Sequence, residues 1–158
     1  MELHLIAHNI RSAENIGALF RTCDALGIAK LWITGYSPKP DHPKVKKTAL
    51  GAETIVEWEQ RTDVTAVVEE LRREGMRIVA LENATGATNL ADYLPQAKTA
   101  LFLGNEVEGI TPSLLALCDD VVAIAQSGVK ESLNVSVATG IAAYWMMNES
   151  KVSKSLKV

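Results

Sequence analysis

Cysteine is scarce in this chain of 158 residues: Cys23 and Cys118 are the only two, and neither sits in a CxxC or any zinc-binding spacing. That excludes a disulfide framework and a zinc site, and predicts two free thiols in a reducing cytoplasm. No apolar run reaches the ~18–20 residues of a membrane span without polar interruption. The N-terminus, MELHLIAHN, lacks a basic segment followed by a long apolar core, so no export signal is expected. There is no GxxxxGK[ST] phosphate loop, no GxGxxG after the first strand, where Gly17 stands alone, and no Ser-His-Asp arrangement in a recognisable context. No internal repeat, low-complexity tract or linker is present. Nor is positive charge in excess: the net charge of −3 argues against gripping nucleic acid by bulk charge.

That charge is uneven. Residues 1–50 hold 7 Lys/Arg against 4 Asp/Glu, or +3, and residues 51–158 hold 9 against 15, or −6. A polyanion would approach the first third, although chance scatter accounts for the imbalance about as well. The length fits one domain, and 47% hydrophobic with 22% charged residues fits a folded globular chain. We read residues 1–150 as that domain and 151–158, a Lys/Ser-rich stretch, as a flexible tail.

Along the chain, short apolar runs alternate with helical periodicity. Strands are predicted at 3–7, 30–35, 54–58, 77–81, 99–103 and 121–124. The fifth, TALFL, is apolar enough to be central. Ile16, Leu19, Phe20, Cys23 and Leu26 recur at helical spacing and end at Gly27. A second amphipathic helix covers 64–73, with short helices at 91–94 and after Thr111-Pro112. Strand, helix, strand with short turns predicts a mostly parallel sheet with flanking helices, an α/β fold. Residues 36–47 read as an extended proline-rich loop, with a basic arm toward phosphates and a helix start at Pro43 as competing readings. His4 and His8 read as surface or internally satisfied residues. The last helix is apolar on nearly every side, as in a core or an interface, yet its first turn carries Ser132, Asn134 and Ser136.

Three polar clusters lie where strands end or helices begin: Asn15 with Arg21; Gly104-Asn105-Glu106 with Gly109; and Ser132 with Asn134. Each has an ordinary reading. Arg21 would pair with Asp24 at the surface, Gly104 and Gly109 would form a strand-to-helix turn, and Ser132 and Asn134 would cap the last helix. The polar end of the fourth strand, Glu82 to Gly86, is a candidate pocket wall, because ligands in open α/β sheets lie beyond the strands' carboxyl ends.

Taken together, the blocks NIGALFRTCDALGI (15–28), LFLGNEVEGI (101–110) and ESLNVSVATGIAAY (131–144) resemble the SPOUT class of methyltransferases, specifically its SpoU/TrmH branch of RNA 2′-O-ribose methyltransferases. Order and spacing agree over essentially the whole chain. One departure is Ile124-Ala125-Gln126, where that family commonly has Ile-Pro-Met. The resemblance implies a deep trefoil knot at the C-terminus, one of the rare exceptions to unknotted topology. It implies S-adenosylmethionine as cofactor, held by backbone groups around Leu81, Gly104, Ile124 and Leu133, and no metal. It also implies a homodimer with the active site near the interface. The implied substrate is a ribose 2′-OH of RNA, tRNA ahead of rRNA, contacted by the dimer surface or through an auxiliary RNA-delivery protein. Arg21 is the leading catalytic residue, as a phosphate clamp rather than a base, because a guanidinium scarcely deprotonates. Asn15 and Asn134 orient, Glu106 holds Arg21 or the loop, and Ser132 fixes the start of the last helix. The alternative is a non-catalytic RNA- or cofactor-binding module with the same fold.

Overall fold

The computed structural model describes residues 1–129 and 132–155, the side chains of 150–155 excepted. Seven strands form one sheet: β1 (Glu2–His8), β2 (Lys30–Thr34), β3 (Trp58–Arg61), β4 (Arg77–Leu81), β5 (Thr88–Asn89), β6 (Lys98–Leu103) and β7 (Asp120–Ala123). Their order is β3-β2-β1-β6-β4-β7-β5, and every pairing between them is parallel. The strand expected to be central, β6, is the middle one. Among the described residues five α-helices accompany the sheet: α1 (Ala13–Leu26), α2 (Pro43–Ala49), α3 (Val64–Arg73), α4 (Pro112–Leu115) and α5 (Val135–Ser155).

Alternation along the strands builds two cores. Leu3, Leu5 and Ala7 of β1 join Ile16, Leu19 and Phe20 of α1 and Ala142, Ala143 and Met146 of α5 on one face. Ile6, on the opposite face, joins Trp32 and the α3 residues Val64, Val67, Val68 and Leu71. His4 is buried on this second face, and its Nδ1 accepts a hydrogen bond from the Trp32 indole N–H at 3.2 Å. Burial lowers its pKa, in keeping with that acceptor role.

Local chemistry explains the element ends. The Ser12 hydroxyl caps α1 by accepting from the Asn15 N–H at 3.2 Å, and Gly27 closes it at φ 65°. Asn134 Oδ1 caps α5, accepting from the N–H groups of Ser136 at 2.9 Å and Val137 at 3.3 Å.

Three expectations change. The strand predicted at 54–58 lies at Trp58–Arg61, because pairing with β2 sets the register Leu31 to Trp58, and residues 52–54 form a 3-10 turn. The apolar Ile55-Val56 pair that suggested the earlier position lies outside the ladder. Of the competing readings of 36–47, the helix start at Pro43 holds: the loop ends at His42, whose ring caps α2, so Lys44, Lys46 and Lys47 stand on a helix rather than on an extended arm. The tail expected from 151 continues α5 as far as Ser155, and residues 156–158 lie outside the described residues.

Candidate functional site

Adjacent strands β6, β4 and β7 end together, and beyond their carboxyl ends lies a cleft of about 730 Å³, within the range of small-molecule sites. Leu81 and Glu82 follow from β4, Leu103 and Gly104 from β6, and Ala123 and Ile124 from β7. The approach to α5 adds Ser132, Leu133 and Val135. All four positions expected to hold a cofactor by their backbone, Leu81, Gly104, Ile124 and Leu133, line this one cavity. So does Gln126, the second residue of the departure from the family pattern.

The Gly104–Gly109 loop is folded back on itself. Asn105 and Gly109 form an antiparallel bridge, and Gly109 takes φ 67°. A Cβ on Gly104 would lie 2.7 Å from the Gly109 carbonyl oxygen, so only glycine permits this closure. From the wall expected after β4, Glu82 Oε2 accepts the Ile110 N–H at 2.8 Å and ties the loop to that strand.

Glu106 connects this loop to α1. Its Oε2 accepts from the Arg11 N–H at 2.9 Å, and its Oε1 from the Ser12 N–H at 3.0 Å and the Asn15 side-chain amide at 2.9 Å. Burial opposes its ionisation, but these donors outweigh that and hold its pKa below the usual carboxylate range. A carboxylate so occupied is a poor proton acceptor and a good clamp. Of the partners expected for it, Arg21 or the loop, Arg21 is not among the groups it bonds; it ties its own loop to the start of α1. Asn134 Nδ2 then donates to Asn15 Oδ1 at 3.1 Å, so Asn134, Asn15 and Glu106 form one continuous chain of hydrogen bonds.

Ser132 lines the cleft, and the capping of α5 falls to Asn134 alone. Arg21 is exposed on α1 and does not line the cleft. Among the described residues it makes no ion pair, so the expected pairing with Asp24 is absent. Ala25, one turn further along α1, borders an apolar groove between α1 and α5 that Thr22, Ile141 and Tyr144 also line. On that side of α5, Val137, Ile141 and Tyr144 are 51%, 44% and 63% exposed.

Among the described residues the cleft's lining holds three carboxylates, Glu82, Glu106 and Glu108, and no lysine, arginine or histidine. Such a lining disfavours a phosphorylated ligand and favours a cation. Beside the carboxylates, Leu81, Leu103, Ile124 and Leu133 offer apolar walls. This mixed donor set fits a sulfonium ligand with an apolar base and a polar tail. No cluster that would hold a metal exists among the described residues.

A profile of the SpoU rRNA Methylase family matches residues 2–144. The chain belongs to that family. Among its relatives, the tRNA (guanosine(18)-2'-O)-methyltransferase of Aquifex aeolicus is 31% identical over 144 residues, covering 90% of this chain and 67% of the relative. The chain spans about half to two thirds of the length of the curated bacterial relatives it matches. Among solved SpoU structures, AviRb from Streptomyces viridochromogenes in complex with AdoMet superposes with a TM-score of 0.86 at 26% identity, over 96% of this chain and 58% of that one. A structure solved for insight into 2-OH methylation of C/U34 on tRNA gives a TM-score of 0.87 at 28% identity, covering 96% of this chain and 97% of that one.

Two residues with prominent places near the site carry no role of their own in the sequence. Asn105 was visible only as part of a cluster, and Tyr36 not at all. The bond that joins them spans 69 positions, and no local pattern announces it.

Proposed function

We propose that this protein transfers a methyl group from S-adenosylmethionine to a ribose 2′-OH of RNA, and that the RNA is a tRNA. The observation that carries the proposal is the single cleft that gathers Leu81, Gly104, Ile124 and Leu133 with a lining rich in carboxylates and, among the described residues, free of cations. The tRNA preference rests on relatives named for tRNA, including one whose length matches almost end to end. rRNA stands next, since other relatives are named for 23S rRNA.

S-adenosylmethionine supplies an electrophilic methyl group on a sulfonium centre. Main-chain groups at Leu81, Gly104, Ile124 and Leu133 would hold it, and the carboxylates would favour its positive charge. Asn15, Glu106 and Asn134 orient the start of α1 against the cofactor loop, and Ser132 faces the cleft beside them. Rate comes largely from such positioning when a poor nucleophile must meet its target in line. Arg21 is the phosphate clamp, since a guanidinium grips phosphate bidentately and does not give up its proton near neutrality.

The chain acts as a homodimer closed over the groove between α1 and α5, which brings Arg21 to the subunit interface. Residues 1–150 form one domain, α5 completes a trefoil knot, and the cytoplasm is the compartment. RNA is gripped by the dimer surface, with an auxiliary delivery protein as the alternative route. A non-catalytic module is favoured by one observation, the position of Arg21 outside the cleft lining. Calorimetry with S-adenosylmethionine, followed by mass spectrometry of unmodified RNA after incubation, separates the two. Binding with 2′-O-methylation of tRNA supports the enzyme, whereas binding without transfer to any cellular RNA supports the module.

A further inference from the structure

Tyr36 follows the β2 turn and is 60% exposed, yet it is held at both ends. Its backbone N–H donates to Asn9 Oδ1 at 3.1 Å. Its hydroxyl accepts from Asn105 Nδ2 at 2.8 Å, and the same nitrogen donates to the Asn9 carbonyl at 2.9 Å. Asn105 is itself fixed, because its Oδ1 accepts from the N–H groups of Val107 at 2.8 Å and Glu108 at 2.9 Å. The backbone around the ring is shaped to permit this. Asn9 adopts φ 52° and Gly35 φ 65°. A Cβ on Gly35 would collide with the Asn9 side-chain carbonyl and break the bond to Tyr36.

An exposed aromatic ring contributes little to a core, so this network is costly to assemble for stability alone. What it does provide is a flat π-surface at a fixed orientation. Asn105, to which the ring's hydroxyl is tied, lines the cleft, so that end of the ring stands beside the cleft's edge. Nearby in sequence, exposed Lys39, Lys46 and Lys47 make no salt bridge among the described residues, whereas Lys44 is paired with Glu14 at 3.4 Å. Exposed cations without an ion pair, on the segment of chain that follows a rigid aromatic face, supply the combination that binds a single-stranded nucleic acid, phosphate on the lysines and base on the ring.

We propose that Tyr36 is a nucleobase-stacking subsite, on which an unpaired RNA base lies while the adjoining backbone contacts Lys39, Lys46 and Lys47. The inference rests on the reading of the chain as an RNA-acting protein and adds to it the place where a base is held. Stacking on a π-face does not discriminate strongly among bases. The subsite therefore supplies affinity and orientation rather than sequence specificity.

The test uses the full-length protein with an unmodified tRNA transcript. Tyr36→Ala should raise the KM for RNA roughly 10- to 100-fold, with kcat falling much less and the Kd for S-adenosylmethionine within about twofold, as calorimetry precision allows. Tyr36→Leu keeps apolar bulk without a π-face and should behave like the alanine variant. Tyr36→Phe keeps the face but loses the tie to Asn105, and should raise KM by a smaller factor. The dependence of RNA affinity on salt should keep its slope in the Tyr36 variants and become shallower by about one unit in Lys46→Ala. An unchanged RNA KM in Tyr36→Ala, or a wild-type value in Tyr36→Leu, overturns the proposal. So does an equal loss of cofactor and RNA affinity, which marks Tyr36 as a prop for the loop. If wild-type protein methylates no RNA, the functional reading fails instead. RNA binding followed by fluorescence anisotropy then still decides the role of Tyr36.

Discussion

Arg21 and Glu106, two charged side chains of the proposed site, are placed very differently. Arg21 stands exposed and unpaired among the described residues, which suits a group whose partner arrives with the substrate. Arg21→Ala should abolish methyl transfer while leaving cofactor binding nearly intact, measured by end-point methylation and calorimetry; full activity in that variant would remove the phosphate-clamp role. Glu106 is fully engaged within the fold, and Glu106→Ala strands three donors, the N–H groups of Arg11 and Ser12 and the Asn15 amide. A loss of about 1–2 kcal/mol in urea unfolding at neutral pH is expected. Because its pKa in the folded protein is lowered, the stabilisation by Glu106 is complete above the unfolded-state carboxylate pKa and fades as pH falls through the folded value. The gap in stability between wild type and the alanine variant should accordingly close in acid. A gap that persisted unchanged at low pH would contradict the clamp.

Among the elements, α1 carries the greatest burden, since it packs on the sheet, on α2 and on α5 and presents Asn15 to the site. Its approach to α2 is close at Gly17, where a Cβ would collide with Thr48 Oγ1 and lie 2.6 Å from the Val45 carbonyl oxygen. Alanine ordinarily favours a helix interior over glycine. Here Gly17→Ala should instead destabilise the fold by about 1–3 kcal/mol through overpacking, and equilibrium unfolding would detect it. Elements of this kind were largely legible in the sequence. The period through Ile16, Leu19, Phe20 and Cys23 and the stop at Gly27 are local signals, and each appears where expected. Helix α3 and strand β4 lie at the predicted residues for the same reason. The edge strand β3 was misplaced because its sequence, Trp-Glu-Gln-Arg, is polar and its position is set by pairing with β2, a tertiary cause. The site divides along the same line. Glycines and caps around the cleft were visible as punctuation, whereas the partner of Glu106 and the anchor of Tyr36 depend on contacts across most of the chain.

For the molecule as a whole, the apolar side of α5 raises the question of assembly. Val137, Ile141 and Tyr144 recur at i, i+4 and i+7, and face outward next to the groove bounded by Thr22 and Ala25 of α1. In water such a stripe is disfavoured, and a second copy would cover it by an isologous contact. Ile141→Glu should convert a dimer into monomers in sedimentation velocity, and methyl transfer should be lost with it if Arg21 works across the interface. A wild-type protein that remained monomeric at every accessible concentration would refute the dimer. The hydrogen-bonded chain of Asn134, Asn15 and Glu106 has one more consequence, which concerns time rather than shape. Asn134 and Asn15 are 119 positions apart, and Glu106 reaches Arg11 across 95. Contacts so remote close large loops before they return any stabilisation, so chains built on them fold slowly for their size. As the ribosome delivers the chain, the link between Glu106 and the start of α1 can close once residue 106 is made, but the chain of hydrogen bonds is complete only when the segment leading into α5 docks against a helix made more than a hundred residues before.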